Sequence, residues 1–148
     1  MRKWEEHIGE ELTPEQWATI WSWAAKSSLC RLYKENTYKV LFHWYLTPSR
    51  LHAIFPSASD RCWRCLQDRG TLLHVYWSCP LLQPYWHSVR GLLHRLFEVD
   101  IPLSPKFLTG PPPPKLSTLA KKLATQILTA ARCLVALYWK QRNPPISI

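Results

Sequence analysis

Residues 62–79 read CWRCLQDRGTLLHVYWSC. Three of the chain's five cysteines fall in this run, with one histidine between the second and the third. The spacing is C-x2-C-x8-H-x4-C, from Cys62, Cys65, His74 and Cys79. Two cysteines separated by two residues can place both sulfurs on one ion in a tight turn. The chain then returns with a nitrogen and a third sulfur. Three thiolates and one imidazole make a closed tetrahedral shell, the chemistry of structural Zn2+, with no position left for a reacting water. Gly70 and Thr71 would turn the chain and cap a short helical segment carrying His74, and Pro80 would end it. Plainer readings stand beside this one: small core thiols, a redox pair at Cys62 and Cys65, or a satisfied core histidine. The redox pair lacks the βαβ setting such motifs occupy.

The chain has 148 residues and a net charge of +9. That length fits one domain, or one with an appendage, and can bury a real core. Two of the nineteen basic residues and five of the ten acidic ones lie in the first fifteen positions. The remainder therefore carries seventeen against five, a balance of +12. A body this basic favours a polyanionic partner, with a merely solvated basic surface as the alternative. The start, MRKWEEHIGEELTPEQW, lacks the apolar centre of a signal peptide, and no run reaches the ~18 apolar residues of a membrane span. No membrane role is expected. With an odd cysteine count, the expected setting is reducing and intracellular, cytoplasmic or nuclear rather than secreted, which weakens a disulfide reading.

Thr13, Pro14 and Gln16 have the order of N-cap, N1 and capping-box partner. Trp17, Ile20, Trp21, Ala24 and Leu32 then recur at helical intervals, predicting a helix over 14–33. A second helix is expected over 36–46, and a third with Thr47 as N-cap before Pro48. Leu82, Trp86, Val89, Leu93 and Leu96 predict a helix reaching residue 97. Residues 99–115 read as an irregular connector. Its four consecutive prolines, 111–114, suit polyproline II, as a stiff spacer or a ligand for a Pro-rich-motif reader. From Leu116 to Lys140, an apolar stripe of Leu116, Leu119, Leu123, Ile127, Ala130, Leu134 and Leu137 is expected to dock on the domain. Lys115, Lys121, Lys122, Thr125, Gln126, Thr129, Arg132 and Lys140 form an acid-free face expected in solvent. HVYW and KFLT carry weak strand signals. Cys30 and Cys133 read as core thiols within helices, and His87 and His94 as solvated or packed.

The fold class is therefore mainly α: a small helical domain with an embedded CCHC zinc knuckle and a long C-terminal amphipathic helix. The organisation is an acidic N-terminal tail over 1–12, the helical domain over 13–98, the Pro-rich connector over 99–115, and the basic helix and tail over 116–148.

Flat rings and guanidinium groups crowd the ligands. Trp63, Arg64 and Arg69 lie in the knuckle, and Tyr76 and Trp77 follow His74. A metal-held loop of this kind can stack bases and contact phosphates, at about 1–3 kcal/mol per stacked base. Trp63 and Trp77 can equally serve as cover for the metal. Lys121, Lys122 and Arg132 would add phosphate contacts from the last helix. Asp60, Asp68 and Asp100 are the whole set of aspartates and are not clustered for two-metal phosphoryl transfer. Nothing supports a nucleophile and base pair, so no enzyme is expected.

The runs YKVLFHWYLTPSRLHAIFPSASDRCWRC (38–65) and GTLLHVYWSCPLLQPYW (70–86) together resemble the segment downstream of the reverse transcriptase in vertebrate LINE-type (non-LTR) retrotransposons. The likeness is specific over about residues 35–90. Through the layout of the flanking helices it covers most of the chain. It implies a cysteine-rich knuckle beside a helical region, with Cys62, Cys65, His74 and Cys79 as the ligand pattern. It also implies binding of RNA or the ribonucleoprotein, the rest of a reverse-transcriptase protein as a partner, and no chemistry in this segment. Where the family commonly has an arginine before the WY pair, this chain has His43, and a neutral imidazole would weaken a phosphate contact there. The aspartate pair of a polymerase palm and an endonuclease constellation are both missing. The expected function is a zinc-stabilised nucleic-acid-binding module for RNA or single strands. The alternatives are a zinc-structured protein-interaction module and a foldable remnant of a decayed element.

Overall fold

Thr13 opens a helix as its neighbours predict. Its hydroxyl accepts from the Gln16 N–H at 3.3 Å, and its own N–H donates to Gln16 Oε1 at 2.7 Å, the reciprocal pair of a capping box. The computed structural model of the chain describes residues 2–110 and 115–145. Its α-helices are α1 (Arg2–Ile8), α2 (Pro14–Lys26), α3 (Arg31–Leu41), α4 (Pro48–Ile54), α5 (Gln83–Phe97), α6 (Lys106–Thr109) and α7 (Thr118–Tyr138). A π-helix, His74–Ser78, lies between α4 and α5. No strand forms among the described residues, so the class is mainly α. HVYW is the start of the π-helix and KFLT is α6. Neither segment has a strand to pair with, and a helical turn satisfies its backbone locally.

The first two long helices break where local hydrogen bonds replace the helical ladder. α2 ends at Lys26 instead of continuing to residue 33. Ser27 Oγ donates to the Ala24 carbonyl at 3.0 Å, and Ser28 Oγ accepts from the Cys30 N–H at 3.0 Å. These local bonds turn the chain into α3. Cys30, expected as a core thiol, therefore sits exposed at the N-cap of α3, and Leu32 is exposed as well. α3 ends five residues before the expected boundary because His43 takes φ 54°. The Trp44 N–H reaches back to the Lys39 carbonyl at 2.8 Å and the His43 N–H to that of Val40 at 3.1 Å. This is the paired closure of a Schellman motif, with histidine at the left-handed position that glycine usually fills.

The acidic N-terminus is not a loose tail. Trp4 in α1 is fully buried, and its Nε1–H donates to the Leu41 carbonyl at 2.9 Å, pinning α1 to the end of α3. The connector is not a detached spacer over its described part either. Ile101, Phe107 and Leu108 are core residues, and α6 packs on α3 and α7. The polyproline II reading of 111–114 falls outside the described residues.

α7 is rotated from the stripe its leucines mark, so that Leu116 is buried and Ile127 and Leu134 still pack against the core while the outer leucines do not. Ala124, Thr125, Leu128, Thr129, Ala131, Arg132 and Val135 are buried, whereas Leu119, Leu123 and Leu137 are exposed. Small side chains on the buried face let α3 and α5 approach closely. Apart from Arg132 Nε, its polar groups find fixed partners. Trp23 Nε1–H donates to Thr125 Oγ1 at 3.2 Å, and Tyr85 O–H donates to the Ala131 carbonyl at 3.1 Å. Arg132 donates through Nη1 to the Phe107 carbonyl at 3.1 Å and through Nη2 to Thr129 Oγ1 at 3.0 Å, under the Trp23 ring. Burial without a carboxylate partner brings its pKa down to about 10. Arg132 is thus a structural cation and cannot touch a phosphate.

Beside Trp4, the His43 ring lies 4.8 Å from the indole and 5.6 Å from the His7 ring. Burial, reinforced by His7 and Lys3, brings the His43 pKa down to about 4. An unfolded histidine titrates near 6.5, so the folded chain binds fewer protons between those values. The stability His43 contributes is complete above pH ~6.5 and is lost as the pH falls toward 4. His43→Asn, which suits the left-handed backbone, should flatten the fall of the melting midpoint between pH 6.5 and 4.5. An unchanged slope in thermal unfolding would refute this account of His43.

Candidate metal centre

The backbone from Asp60 to Gly70 folds into a tight loop closed on itself. The Cys62 N–H donates to the Asp68 carbonyl at 2.8 Å and the Gly70 N–H to that of Asp60 at 2.7 Å, flanking an antiparallel bridge between Arg61 and Arg69. At the tip, Leu66 takes φ 60°, the left-handed region. The Leu66 N–H donates to the Cys62 carbonyl at 2.9 Å, and the Arg64 N–H points at Cys62 Sγ at 3.4 Å. This turn brings the first two cysteines together with their sulfurs facing inward.

The second pair is delivered by the helical segment. Thr71 Oγ1 accepts from the His74 N–H at 3.1 Å, the cap expected of it. The Cys79 N–H then donates to the His74 carbonyl at 2.9 Å, an i→i+5 bond. In a regular α-helix, residues five apart diverge by roughly 140° around the axis. Widening the turn to a π-helix brings His74 and Cys79 back to one side.

The ligand atoms of Cys62, Cys65, His74 and Cys79 lie within 4.8 Å of one another. A tetrahedral ion with thiolate bonds of about 2.3 Å holds its sulfurs about 3.8 Å apart. The cluster therefore fits a metal ion. His74 turns Nε2 toward Cys65 Sγ, 3.3 Å away, while Nδ1 faces the Asp68 carboxylate at 4.0 Å. A carboxylate behind a ligating imidazole helps fix its tautomer and orientation. Burial holds the His74 pKa below its ordinary value, which favours the neutral ring a metal needs. Burial pushes the Cys62 thiol up to about 11. Cys65 behaves oppositely: burial opposes ionisation, but N–H groups of Asp68 and Gln67 lower its pKa. A divalent ion would displace the remaining thiol protons.

The aromatic and basic residues expected to meet nucleic acid divide sharply. Arg64 is buried, and its Nη1–H donates to the Val75 carbonyl at 3.0 Å. Trp86 Nε1–H donates to the Tyr76 carbonyl at 2.8 Å, and Gln83 Nε2–H to the Trp77 carbonyl at 2.6 Å. These three carbonyls near the C-terminal end of the π-helix thereby gain partners. With a divalent ion bound, three thiolates and a neutral imidazole leave one net negative charge, which the buried Arg64 guanidinium would offset. Tyr76 is buried against Tyr45, and Trp77 against Trp86 and Phe107. Trp63 is half-buried and stands edge-on to Trp139 at 5.2 Å, docking the loop on the end of α7.

None of Arg64, Tyr76 and Trp77 can stack a base. Arg69 is open, with its side chain 64% exposed. Lys122 is exposed and Lys121 half-buried. They lie some seventeen residues from Trp139, roughly 25 Å along the helix axis, so they share no surface with the knuckle. No protein-family model matches the chain.

Two substitutions in the loop have opposite signs. A Cβ on Gly70 would fall 2.5–2.9 Å from the Pro48 ring, which is rigid and buried. Gly70→Ala should cost about 1–3 kcal/mol in chemical denaturation. Leu66→Gly relieves a left-handed side chain that is half exposed and should gain about 0.5–1 kcal/mol. If the second variant is the less stable one, Leu66 holds the loop by packing and not merely by geometry.

Proposed function

We propose that this chain is a zinc-stabilised module that binds RNA or single-stranded nucleic acid, without polymerase or nuclease residues of its own. The observation that carries this reading is the convergence of three cysteines and one histidine on a strongly basic body. Three thiolates and an imidazole suit zinc above the harder divalent ions, which prefer oxygen. When bound, zinc supplies a fixed cross-link and no reaction. The closed shell leaves no protein-free position in which a water would be activated.

Outside that shell, Arg61 and Arg69 flank Asp60, at 3.8 and 3.4 Å, with their side chains 60% and 64% exposed. Asp68, 61% exposed, stands in the same loop, so the loop itself is close to charge balance and the positive excess belongs to the body around it, whose balance beyond residue 15 is +12. Such a surface attracts phosphate backbones without reading sequence. The likeness to the C-terminal end of LINE-type reverse-transcriptase proteins points the same way and adds the remainder of such a protein as a partner. No helix among the described residues is long and apolar enough to cross a membrane.

A second reading has its own support. Leu119, Leu123 and Leu137 lie exposed on α7. That stripe suits a protein-interaction module in which zinc is purely structural.

Native mass spectrometry should show one zinc per chain, removed by a strong chelator, with loss of helical circular dichroism in the same samples. A metal of this type contributes on the order of 10 kcal/mol or more to folding. Binding of zinc-loaded protein to single-stranded RNA should weaken with salt, with a logarithmic slope near −0.7 for each neutralised phosphate. Zinc-loaded protein that ignores RNA at low salt, yet self-associates or captures a helical peptide through α7, would favour the second reading.

A further inference from the structure

The strained ending of α3 gathers aromatic rings in a way that a continued helix would not. Because His43 turns left-handed, Phe42 and Trp44 project to the same side and stack at 5.4 Å, with 27° between their planes. Phe42 stacks in turn on Trp21 at 5.3 Å, and Trp21 on Trp17 at 6.2 Å. The result is a four-ring ladder, Trp17–Trp21–Phe42–Trp44. Its inner end is buried at Trp17, and its outer end is open, with Trp44 61% exposed. Non-glycine residues held at positive φ cluster where a site needs them.

The open end of the ladder borders a cleft of about 650 Å3 lined also by Lys3, His7, His43, Arg50, Arg69 and Thr71. Glu6 is the carboxylate among its lining residues. Arg50 is braced by one bond, Nη1–H to the His43 carbonyl at 2.6 Å, which leaves its other donors toward solvent. His43 Nε2 and His7 Nδ1 are buried there without a protein hydrogen-bond partner. The cleft combines cations for phosphates and flat faces for bases. Its size admits a nucleotide or two.

We propose that this cleft is the nucleic-acid site. A single strand would run past Lys3, Arg50 and Arg69, with an unpaired base stacked on the outer face of Trp44 as the next rung of the ladder. Stacking needs a base free of its own neighbours, so the ligand is single-stranded. This rests on the nucleic-acid reading above and replaces Arg64, Tyr76, Trp77 and Arg132 with residues that can reach a ligand.

The test is fluorescence anisotropy of zinc-loaded protein with labelled oligouridylate and a matched RNA duplex, across a salt series. Zinc content and circular dichroism are checked for each variant. Trp44→Ala should lower affinity for the single strand about tenfold at every salt concentration, leaving the salt slope unchanged, and Trp44→Phe should recover most of the loss. Lys3→Ala and Arg50→Ala should each reduce the slope by about 0.7. The duplex should bind more weakly and be indifferent to Trp44→Ala. Wild-type binding that survives all three alanine variants unaltered would overturn this site while leaving the broader reading in place. Tighter binding of the duplex, with no effect of Trp44, would also overturn it. Absence of any binding by the wild-type protein would sink the broader reading, and this site with it.

Discussion

Three sulfurs and one nitrogen must reach a common point, and no regular element can deliver them there. That demand explains the least regular backbone in the molecule. Leu66 enters the left-handed region so that Cys62 and Cys65 can turn inward. The helix after Thr71 widens to a π-turn so that His74 and Cys79 share a side. Gly70 lets the loop lie against Pro48, with the Ser49 N–H donating to the Gly70 carbonyl at 3.1 Å. Such departures persist only where the surroundings over-determine them. Here the surroundings are the core itself: Arg64, Gln83 and Trp86 take the three carbonyls at the end of the π-turn. The centre is therefore tied to α5 as firmly as to its own loop.

α7 shows how an amphipathic pattern can mark a stripe rotated from the buried face. Counting leucines identifies Leu119, Leu123 and Leu137, but packing is decided by fit as well as by transfer free energy. Beside Leu128 and Val135, the buried face carries alanines, threonines and one arginine where α3 and α5 pack on it. Each of its main polar groups has an acceptor or donor in place. The threonine hydroxyls partner Trp23 and Arg132, and the guanidinium reaches the Phe107 carbonyl. The exposed leucines are then left without an internal partner, which is the physical basis for the protein-interaction alternative.

Much of the scaffold was legible in the sequence because it rests on local rules. The Thr13 capping box, the Thr71 cap, the α5 stripe and the ligand set all depend on residues a few positions apart. What was not legible depends on distant acceptors. Arg64 and Arg132 read as surface cations because arginines usually are. Their burial is decided by the carbonyls of Val75 and Phe107, which no spacing reveals. The breaks at Ser27 and His43 were hidden for a related reason. Neither proline nor glycine marks them, and the periodic pattern runs straight through both. A local clue to the second was present in the order Phe42–His43–Trp44: two large rings two residues apart face different ways on a helix and meet only when it ends.

Four indole N–H groups mark tryptophans that hold the fold. Trp4 and Trp86 donate to buried carbonyls, Trp17 to Glu5 and Trp23 to Thr125, so their rings are fixed by a bond as well as by packing. Trp44 has no such acceptor among the described residues, and its outer face is open. Its position is set by stacking alone, from a ladder founded on α2 and α3. The opposite wall of the cleft, Arg69 and Thr71, belongs to the loop that the metal cluster shapes. Aromatic and basic walls thus have separate supports. Were a metal bound in the cluster, its loss would disorganise the basic wall directly and would reach the ladder through the shared core. A ligand that needs both walls would then depend on the metal without touching it, since the ion would do no more than hold one side of the cleft at the right distance from the other.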